Sequence, residues 1–444
     1  MTPIILFIIV IGLYLSIKKP YYYVLLYGLM GSEMGAKGIS AFFGTFLPSY
    51  TLIMRVLLVL SVFTAILHFK KGSIKSIHSW IKLSIMTTIM MVVMLITDIN
   101  SLTLLSLFSR ITLAIAPFGT GIFIIWLAYA YEINHKRLFL IYSACQCLIA
   151  MIVIYGVYFG FPLLSVINAG LYSDEYFYLD DYNSMVAMPS NFYLTFAGKN
   201  EHFIRCGQFH NANGLGFAAG MLITLLITRY VEDKKLIHKL VYVFFISLAF
   251  LLWCNTGTRG PVIGIFVAII AYVCLYNKNA STKIMIIMTS FFFFLIVVAF
   301  GGNIINYFIG SGANDSFASR QALNNNTLAH LDEFFFFGTA GNLDALFERG
   351  IDPHELPLRV LCMYGIIPAL LMTVLTILKP MKQLFINRKC VSFYSLGLFF
   401  TLLFVNLTNN FAENTLFWIS LAELAISINE DVKKQKLCHI AYGY

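Results

Sequence analysis

Charged residues are scarce in this chain: Asp, Glu, Lys and Arg make up 11% of its 444 residues, whereas hydrophobic residues make up 59%. A soluble domain usually has about a quarter of its residues charged. So little charge cannot keep this much apolar surface in water, and the composition therefore predicts a membrane protein in contact with the lipid bilayer. The net charge of +9 comes from basic residues between hydrophobic stretches, as in topology signals, so no nucleic-acid partner is expected.

Motifs for nucleotide, metal and cofactor chemistry are also missing. The eight cysteines show no CxxC or CxxH spacing, and Cys145, Cys147, Cys274 and Cys362 lie inside apolar stretches, so neither a disulfide framework nor a zinc site is predicted. No Walker A, GxGxxG, HExxH, GxSxG or paired-aspartate motif stands in a suitable context. No cofactor or metal is expected, and a nucleotide-sugar donor at the cytoplasmic face is disfavoured. No internal repeat of the kind found in many transporters is present.

What the chain does contain is thirteen apolar stretches, each long enough to cross a bilayer. They are continuous rather than alternating, and backbone groups in lipid must be satisfied within the segment, so helices are predicted. The expected fold is an all-α, polytopic transmembrane bundle of about 12–13 helices, forming a single integral membrane domain over residues 1–444. The predicted spans are 2–17, 21–43, 51–68, 80–97, 111–131, 138–160, 212–229, 236–254, 260–276, 283–301, 356–378, 391–407 and 412–428.

The lysines indicate the orientation of this bundle. They fall almost entirely in every second loop, as with Lys70 and Lys71 after the third stretch and Lys433 and Lys434 in the tail. The positive-inside rule then places the first end outside the cell membrane and the C-terminal tail in the cytoplasm. Two loops on the outer face are long, residues 161–211 and 302–355, and both are rich in aromatic and acidic residues. Loops of this length are commonly functional.

The first of four motifs in these outer segments is RCGQFHNANGLG, residues 205–216. It closes the first long loop and opens a helix, for which Asn211 or Asn213 can serve as N-cap. A helix N-terminus beside Arg205 favours a bound anion such as phosphate. The alternative is a capped helix whose glycines, Gly214 and Gly216, allow close packing.

The second and third motifs each contain a single arginine. NTGTRGP, residues 255–261, turns the chain at the outer end of a span, and Arg259 there is either a functional cation or an anchor at the membrane boundary. Arg320 lies early in the second long loop. Its planar guanidinium suits a diphosphate, and the alternative is a surface ion pair with Asp315 or Asp332.

The fourth motif is DPHELPLR, residues 352–359, followed by YGIIP, residues 364–368. His354 lies where the loop returns to the membrane, and a histidine there can accept a proton from a hydroxyl or be merely structural. Arg359 follows about one helical turn later. Glu413, near the outer end of the last span, is a candidate partner for one of the arginines. Glu33 and Lys37, four residues apart, are interpreted as a structural ion pair.

The order of these motifs resembles the O-antigen polymerase family (Wzy-type) and the related O-antigen ligases. The resemblance rests on Arg205 followed by GQFHNAN, on Thr258-Arg259-Gly260, on Arg320, and on His354 followed by Tyr-Gly-Ile. It covers residues 200–370 by motif and the whole chain by topology. Three positions depart from the family pattern: Leu331 replaces a glycine, Ala212 replaces a proline, and Glu355 replaces an asparagine.

The resemblance implies a glycosyltransferase that acts on an undecaprenyl-diphosphate-linked oligosaccharide at the periplasmic side of a bacterial inner membrane. The growing chain would be the donor, and the terminal sugar of a new repeat unit the acceptor. We expect Arg205, Arg259 and Arg320 to hold the departing diphosphate without a metal, and His354 to act as general base. Substrate contacts are expected from Asn211, Asn213, Asp352, Glu355, Arg359 and Glu413, with Asp352 or Glu355 orienting the histidine. A chain-length regulator protein is a candidate partner.

Two other functions stay open at this point. An O-antigen ligase, which transfers the finished glycan to lipid A-core, would use the same motifs with another acceptor. A lipid-linked oligosaccharide flippase or transporter belongs to a different class and would bury polar residues along many spans. A purely structural membrane scaffold is the remaining alternative. The concentration of charge in the outer segments favours a reaction there.

Overall fold

The fold is helical throughout the part of the chain that the computed structural model describes. This part comprises residues 3–27, 47–67, 78–96, 107, 110–111, 134–158, 212–256, 260–276, 322–342, 344–351, 353, 355–388, 390–408 and 415–442. Among these residues 88% are α-helical and none lies in a strand. The all-α class predicted from the continuous apolar stretches is therefore confirmed for the described residues, whereas the polytopic bundle stays a prediction.

Fifteen numbered α-helices make up the described chain. In chain order they are α1 (Pro3–Lys18), α2 (Pro20–Leu26), α3 (Leu47–Leu67), α4 (His78–Ile96), α5 (His135–Tyr158), α6 (Ala212–Glu232), α7 (Leu236–Thr256), α8 (Gly260–Tyr276), α9 (Leu331–Phe334), α10 (Asp344–Phe347), α11 (Leu356–Tyr364), α12 (Ile366–Thr373), α13 (Lys379–Ile386), α14 (Phe393–Thr408) and α15 (Thr415–Tyr442). A π-helical segment, Val374–Leu378, joins α12 to α13. Residues 322–329 are also helical.

The chain divides into two compact units. Unit 1 contains α1, α2, α3, α5, α6 and α7; in it α1 packs against α2 and α3, and α6 packs against α5 and α7. Unit 2 contains α4 and the helices from α8 to α15; in it α14 packs against α8 and α15, and α11 and α12 pack against each other and α4. The single membrane domain over residues 1–444 stays a prediction.

Helices occupy the predicted apolar segments wherever the structure describes them. The agreement is closest for α8, whose bounds coincide with the predicted span 260–276. Helix α15 begins in the predicted span 412–428 but continues to Tyr442. Of the predicted span 21–43, the described residues contain the short α2 and Tyr27. The predicted spans 111–131 and 283–301 lie outside the described residues, apart from Ile111.

The prediction of one continuous helix over 356–378 is wrong at Gly365. This glycine has φ 82° and ψ −177°, which ends α11 at Tyr364 and starts α12 at Ile366. A residue with a side chain rarely adopts this φ. Pro368 falls in the first turn of α12, where its missing N–H costs no helical hydrogen bond. In the segment YGIIP, Gly365 thus ends one helix and Pro368 lies in the first turn of the next.

Two of the described helical segments are long and apolar enough to cross a membrane by length and composition: Ser79–Ile96 and Ile366–Ile386. In each of them 33% of the most apolar window is buried, so two-thirds of its residues are at least partly exposed. Shorter apolar segments occur in α1, α3, α7, α8 and α14. Large apolar side chains are exposed on several of these helices, including Phe7 at 64%, Phe63 at 61% and Phe244 at 60%.

Polar contacts between helices in unit 2 join distant segments. Asp431 of α15 accepts hydrogen bonds through Oδ2 from the backbone N–H and Oγ of Ser392 (2.8 Å each) and from Ser395 Oγ (2.7 Å), at the start of α14. Tyr394 donates to Glu423 at 3.2 Å, deeper in the same helix pair. A carboxylate at a helix N-terminus satisfies N–H groups that lack partners within the helix, so Asp431 fixes α15 against α14.

Candidate functional site

Most of the predicted site residues lie outside the described residues: Arg205, Asn211, Arg259, Arg320, Asp352, His354 and Glu413. The same holds for Glu33 and Lys37. Asn213 is the second residue of α6, which begins at Ala212, so this N-cap candidate lies inside the helix rather than before it, and its side chain is among those not described. Glu355 and Arg359 are the predicted site residues whose side chains are described, and both belong to unit 2.

Glu355 stands immediately before α11 in an extended conformation, with φ −85° and ψ 134°. Its Oε1 accepts a hydrogen bond of 2.7 Å from Asn324 Nδ2, in the 322–329 helix. Glu355 Oε2 and Asn324 Oδ1 are buried and have no hydrogen-bond partner in the described part of the chain. A buried oxygen without a donor is costly, so this pair favours a neighbouring N–H or O–H group. The prediction that Glu355 orients His354 agrees with that requirement and stays a prediction.

Arg359 lies one turn into α11 and is 4% exposed. The backbone N–H of Arg359 donates to Glu355 O at 2.9 Å, and this is the first hydrogen bond of α11. Both residues are among those predicted to contact substrate. Buried arginines are rare unless paired. Glu355 and Arg359 are one helical turn apart at the start of α11, and the Arg359 side chain is buried in unit 2. Their contact with substrate stays a prediction.

The described part of the second outer loop is folded onto the junction of α11 and α12. Thr339 N–H donates to Cys362 O and Gly341 N–H to Met363 O, both at 2.9 Å, and Ile366 N–H donates to Phe335 O at 2.8 Å. The first two bonds satisfy carbonyl groups at the end of α11, and the third satisfies the first N–H of α12; these groups have no partner within their own helix. The loop predicted at 302–355 is thus partly helical, with 322–329, α9 and α10 inside it.

Glycines make this close approach possible. A Cβ on Gly365 would lie 2.1 Å from Phe336 O, and a Cβ on Gly338 would lie 2.4 Å from Met363 C. Both glycines have positive φ, as does Ala340 at 49°, which is uncommon for a residue with a side chain. The Tyr-Gly-Ile segment that carries part of the family resemblance therefore has a local structural role: its glycine lets the loop backbone pack directly against it.

A polar cavity of about 400 Å³ lies in this folded loop segment. It is lined by Glu333, Phe334, Gly338, Thr339, Ala340, Asn342, Ala345 and Arg349. None of these residues was among the predicted site residues. The FFFFGTAG run, residues 334–341, was a usable signal, because glycines directly after an aromatic run indicate a tight turn beside a hydrophobic anchor.

Charged side chains line one side of the cavity. Arg349 forms an ion pair through Nη1 with Glu333 Oε2, and His330 Nδ1 lies 2.9 Å from Glu333 Oε1. The Arg349 guanidinium lies over the Phe334 ring at 5.5 Å. Asn326 Nδ2 donates to Arg349 O (3.3 Å) and Gly350 O (3.0 Å), which fixes the backbone at this position.

Arg110 contacts the cavity wall from a distant part of the chain. Its Nη1 donates to Ala340 O at 3.3 Å, at the residue with the unusual positive φ. In the predicted topology Arg110 is one of the few basic residues outside the cytoplasmic loops. Within the described residues, no group of three His, Cys, Asp or Glu side chains is arranged to hold a metal ion.

Comparison with known proteins adds no family assignment to this geometry. No protein-family model matches the chain, and no curated protein matches it.

Proposed function

We propose that the chain is a multi-pass membrane glycosyltransferase that polymerises undecaprenyl-diphosphate-linked oligosaccharide repeat units at the outer face of a bacterial inner membrane. The observation that carries the proposal is the folded second loop. Between residues 322 and 364 it presents a polar cavity, the Glu333–Arg349 pair and the Asn324–Glu355 pair, and Glu355 follows His354 directly in the sequence. An ordered, polar surface of this kind supports binding and chemistry rather than a simple linker.

Exposure of apolar side chains supports the membrane part of the proposal. A water-soluble protein rarely leaves contiguous apolar patches of more than a few hundred Å² exposed. Here α1, α3, α4 and α7 each expose several large apolar residues; on α1 these are Leu6, Phe7, Val10, Leu13, Tyr14 and Ile17. Such apolar faces are stable in contact with lipid, and contact with lipid also explains the low charge of the chain.

The mechanism we propose is a direct displacement. The hydroxyl of the acceptor sugar attacks the anomeric carbon of the donor, the bond from that carbon to the diphosphate oxygen breaks, and undecaprenyl diphosphate leaves. His354 takes the hydroxyl proton, and Glu355 holds its orientation from the neighbouring position. Arg205, Arg259 and Arg320 stabilise the negative charge that develops on the leaving diphosphate, with bidentate contacts that lysine would not match.

Surface polysaccharide made by living cells provides a test. Deletion of the gene should leave a single repeat unit attached at the surface, and the wild-type gene should restore long polymer. Arg205→Ala and His354→Ala should fail to restore it while reaching the membrane at wild-type levels. Full-length polymer with either variant would remove that residue from the mechanism. A ligase would give another result, because its loss leaves no repeat unit on the surface.

A transporter of lipid-linked saccharide is the second candidate, and buried polar groups in unit 2 favour it. Besides the Asp431 cluster, Asn406 of α14 donates to Thr376 of the π-helical segment at 3.1 Å, and Asn406 Oδ1 is buried without a partner among the described residues. π-Helical segments are frequent at functional sites. A transporter would move the saccharide without lengthening it, so polymer formation by the purified protein separates the two functions.

A further inference from the structure

The cavity in the second loop has a size and a wall structure suited to a small ligand. Its volume of about 400 Å³ lies in the range of small-molecule sites, roughly 300–1,000 Å³. Its wall at residues 338–342 is fixed by hydrogen bonds to the end of α11, and Thr339 Oγ1 donates to Asn342 O at 2.9 Å. A wall held in this way loses little conformational freedom when a ligand binds.

Backbone conformation points to the same place. Gly338, Ala340 and Gly341 all have positive φ, and Ala340 pays a steric cost that glycine would not. Such strain persists only where surrounding contacts impose it, and it clusters at binding sites. Here the contacts are those from Cys362 and Met363 on one side and from Arg110 on the other.

The charged groups on the wall indicate which ligand chemistry the cavity accepts. Glu333 and Arg349 neutralise each other, and no other described side chain is hydrogen-bonded to the Arg349 guanidinium. A guanidinium has five N–H donors, so donors remain after the ion pair has formed, and the Glu333 carboxylate has further lone pairs. An anion such as a diphosphate would have to compete with Glu333 for Arg349. A polyol can donate to the carboxylate and accept from the guanidinium while the pair stays intact.

We infer that this cavity is a saccharide subsite, which holds one or two uncharged sugar rings of the lipid-linked repeat unit and not its diphosphate. Sugar hydroxyl groups donate to Glu333 and accept from Arg349, and Asn342 adds an amide at the same wall. Phe334, which lies under the guanidinium and is almost fully buried, supports this wall of the cavity. This inference rests on the proposed function for the identity of the ligand, but its binding step can be measured without any reaction.

A cavity-filling variant gives the sharpest test. Ala345 lines the cavity, so Ala345→Leu reduces its volume and leaves every charged group in place. Ala329 is exposed in the 322–329 helix and does not line the cavity, so Ala329→Leu is the matched control. Glu333→Gln keeps the shape of the side chain but removes its charge, and serves as a second variant if Ala345→Leu does not fold, as judged by its melting temperature.

The measurement is saturation-transfer NMR on the full chain in lipid nanodiscs, with two probes. One is the lipid-free repeat-unit oligosaccharide released from the surface polysaccharide of the source bacterium, and the other is inorganic pyrophosphate. We expect the oligosaccharide Kd to rise about tenfold or more in Ala345→Leu, less in Glu333→Gln, and not at all in Ala329→Leu. Pyrophosphate binding should be the same in wild type, Ala345→Leu and Ala329→Leu; Glu333→Gln is compared with the oligosaccharide alone, because it releases Arg349 from its ion pair.

Three outcomes overturn the subsite: wild-type protein that does not bind the oligosaccharide, folded Ala345→Leu and Glu333→Gln proteins that both bind it as tightly as wild type, or pyrophosphate binding that is lost with the cavity. Polymer formation, measured on the same preparations, separates this inference from the proposed function. Cavity-dependent binding without polymer leaves the subsite standing and rejects the polymerase. Polymer without cavity-dependent binding rejects the subsite and leaves the polymerase standing.

Discussion

The two units of the molecule satisfy their polar side chains differently. In unit 1 the buried hydroxyl groups mostly bond within their own helix, as Thr224 does to Gly220 O at 3.0 Å and Thr228 to Thr224 O at 2.8 Å. In unit 2 hydroxyl groups also bond within their helices, as Thr376 does to Met372 O, but carboxylates there accept bonds across long sequence separations, as in Asn324–Glu355 and Ser395–Asp431. A hydrogen bond within one helix does not determine which helix packs beside it. A hydrogen bond between two segments does determine how those segments pack. The cavity and the Asn324–Glu355 pair are in the unit with the second kind of bond.

Gly365→Ala is expected to have the largest effect, because it disturbs the backbone contact that holds the second loop against the junction of α11 and α12. A Cβ at this position meets Phe336 O, and the φ of 82° is unfavourable for alanine. We expect a loss of about 3 kcal/mol or more in the free energy of unfolding, and release of the loop. Thermal unfolding and limited proteolysis in nanodiscs measure the two effects.

The control for this variant is Gly12→Ala in α1 of unit 1. There the added Cβ lies 3.2 Å from Leu57 Cδ1 and Tyr23 Cε2, so side-chain atoms need to move by only a few tenths of an ångström and no backbone atom is in the way. Alanine also has the higher helix propensity, by about 1 kcal/mol. If Gly12→Ala lowered the free energy of unfolding as much as Gly365→Ala, the difference between a side-chain contact at Gly12 and a backbone contact at Gly365 would be contradicted.

Asp431→Ala is expected to have the next largest effect. It leaves Ser392 and Ser395 without their shared acceptor at the start of α14, and hydrogen bonds to a charged group contribute about 1.5–3 kcal/mol each. We expect a net destabilisation of about 2–4 kcal/mol. Thr224→Val in unit 1, which removes a bond within one helix, should cost under about 1.5 kcal/mol. Equal losses in denaturant unfolding would remove the distinction between the units.

These two comparisons also show which features could be predicted from sequence. The positions of α4, α8 and α14 follow from continuous apolar runs, a local property. The break at Gly365 was missed because the run stays apolar across it, although Gly365 and Pro368 are residue types typical of a helix end and a helix start. The Glu333–Arg349 and Asn324–Glu355 pairs were missed because their members are far apart in sequence and lie in a stretch interpreted as a loop. Motif reasoning named Glu355 and Arg359 from one short segment, and one helix start holds both; their contact with substrate stays a prediction.

Glu355→Gln and Glu355→Ala separate packing from chemistry at the site. The glutamine variant retains an oxygen to accept from Asn324, so its unfolding free energy should change little, whereas alanine should cost about 1–3 kcal/mol. Polymer formation should fall in both variants, by about tenfold to a hundredfold, if the charge of Glu355 orients the base. Wild-type activity in Glu355→Gln would assign the residue to packing alone. Initial rates of polymer formation at matched protein levels provide the measurement.

The smallest expected effect concerns the turn between α6 and α7. The backbone N–H of Lys235 and then the His238 side chain hydrogen-bond the Asp233 carboxylate and lower its pKa below the ordinary 3.8. The stabilisation of the turn is present above that ordinary value and is lost as pH falls through the lowered pKa. We expect the protection factor of the Lys235 amide to fall slightly between about pH 5 and pH 3. Asp233→Ala should already have the low value at pH 5, and an unchanged factor would contradict the assignment.

The most direct test of the central claim is incubation of the purified chain in nanodiscs with undecaprenyl-diphosphate-linked repeat units, without nucleotide sugar or added metal. The proposed function predicts a ladder of lipid-linked products longer than one repeat unit on a gel, which disappears with His354→Ala and with Arg205→Ala. Repeat units that stay unlinked with correctly folded wild-type protein, or that link only when a nucleotide sugar is supplied, would contradict it.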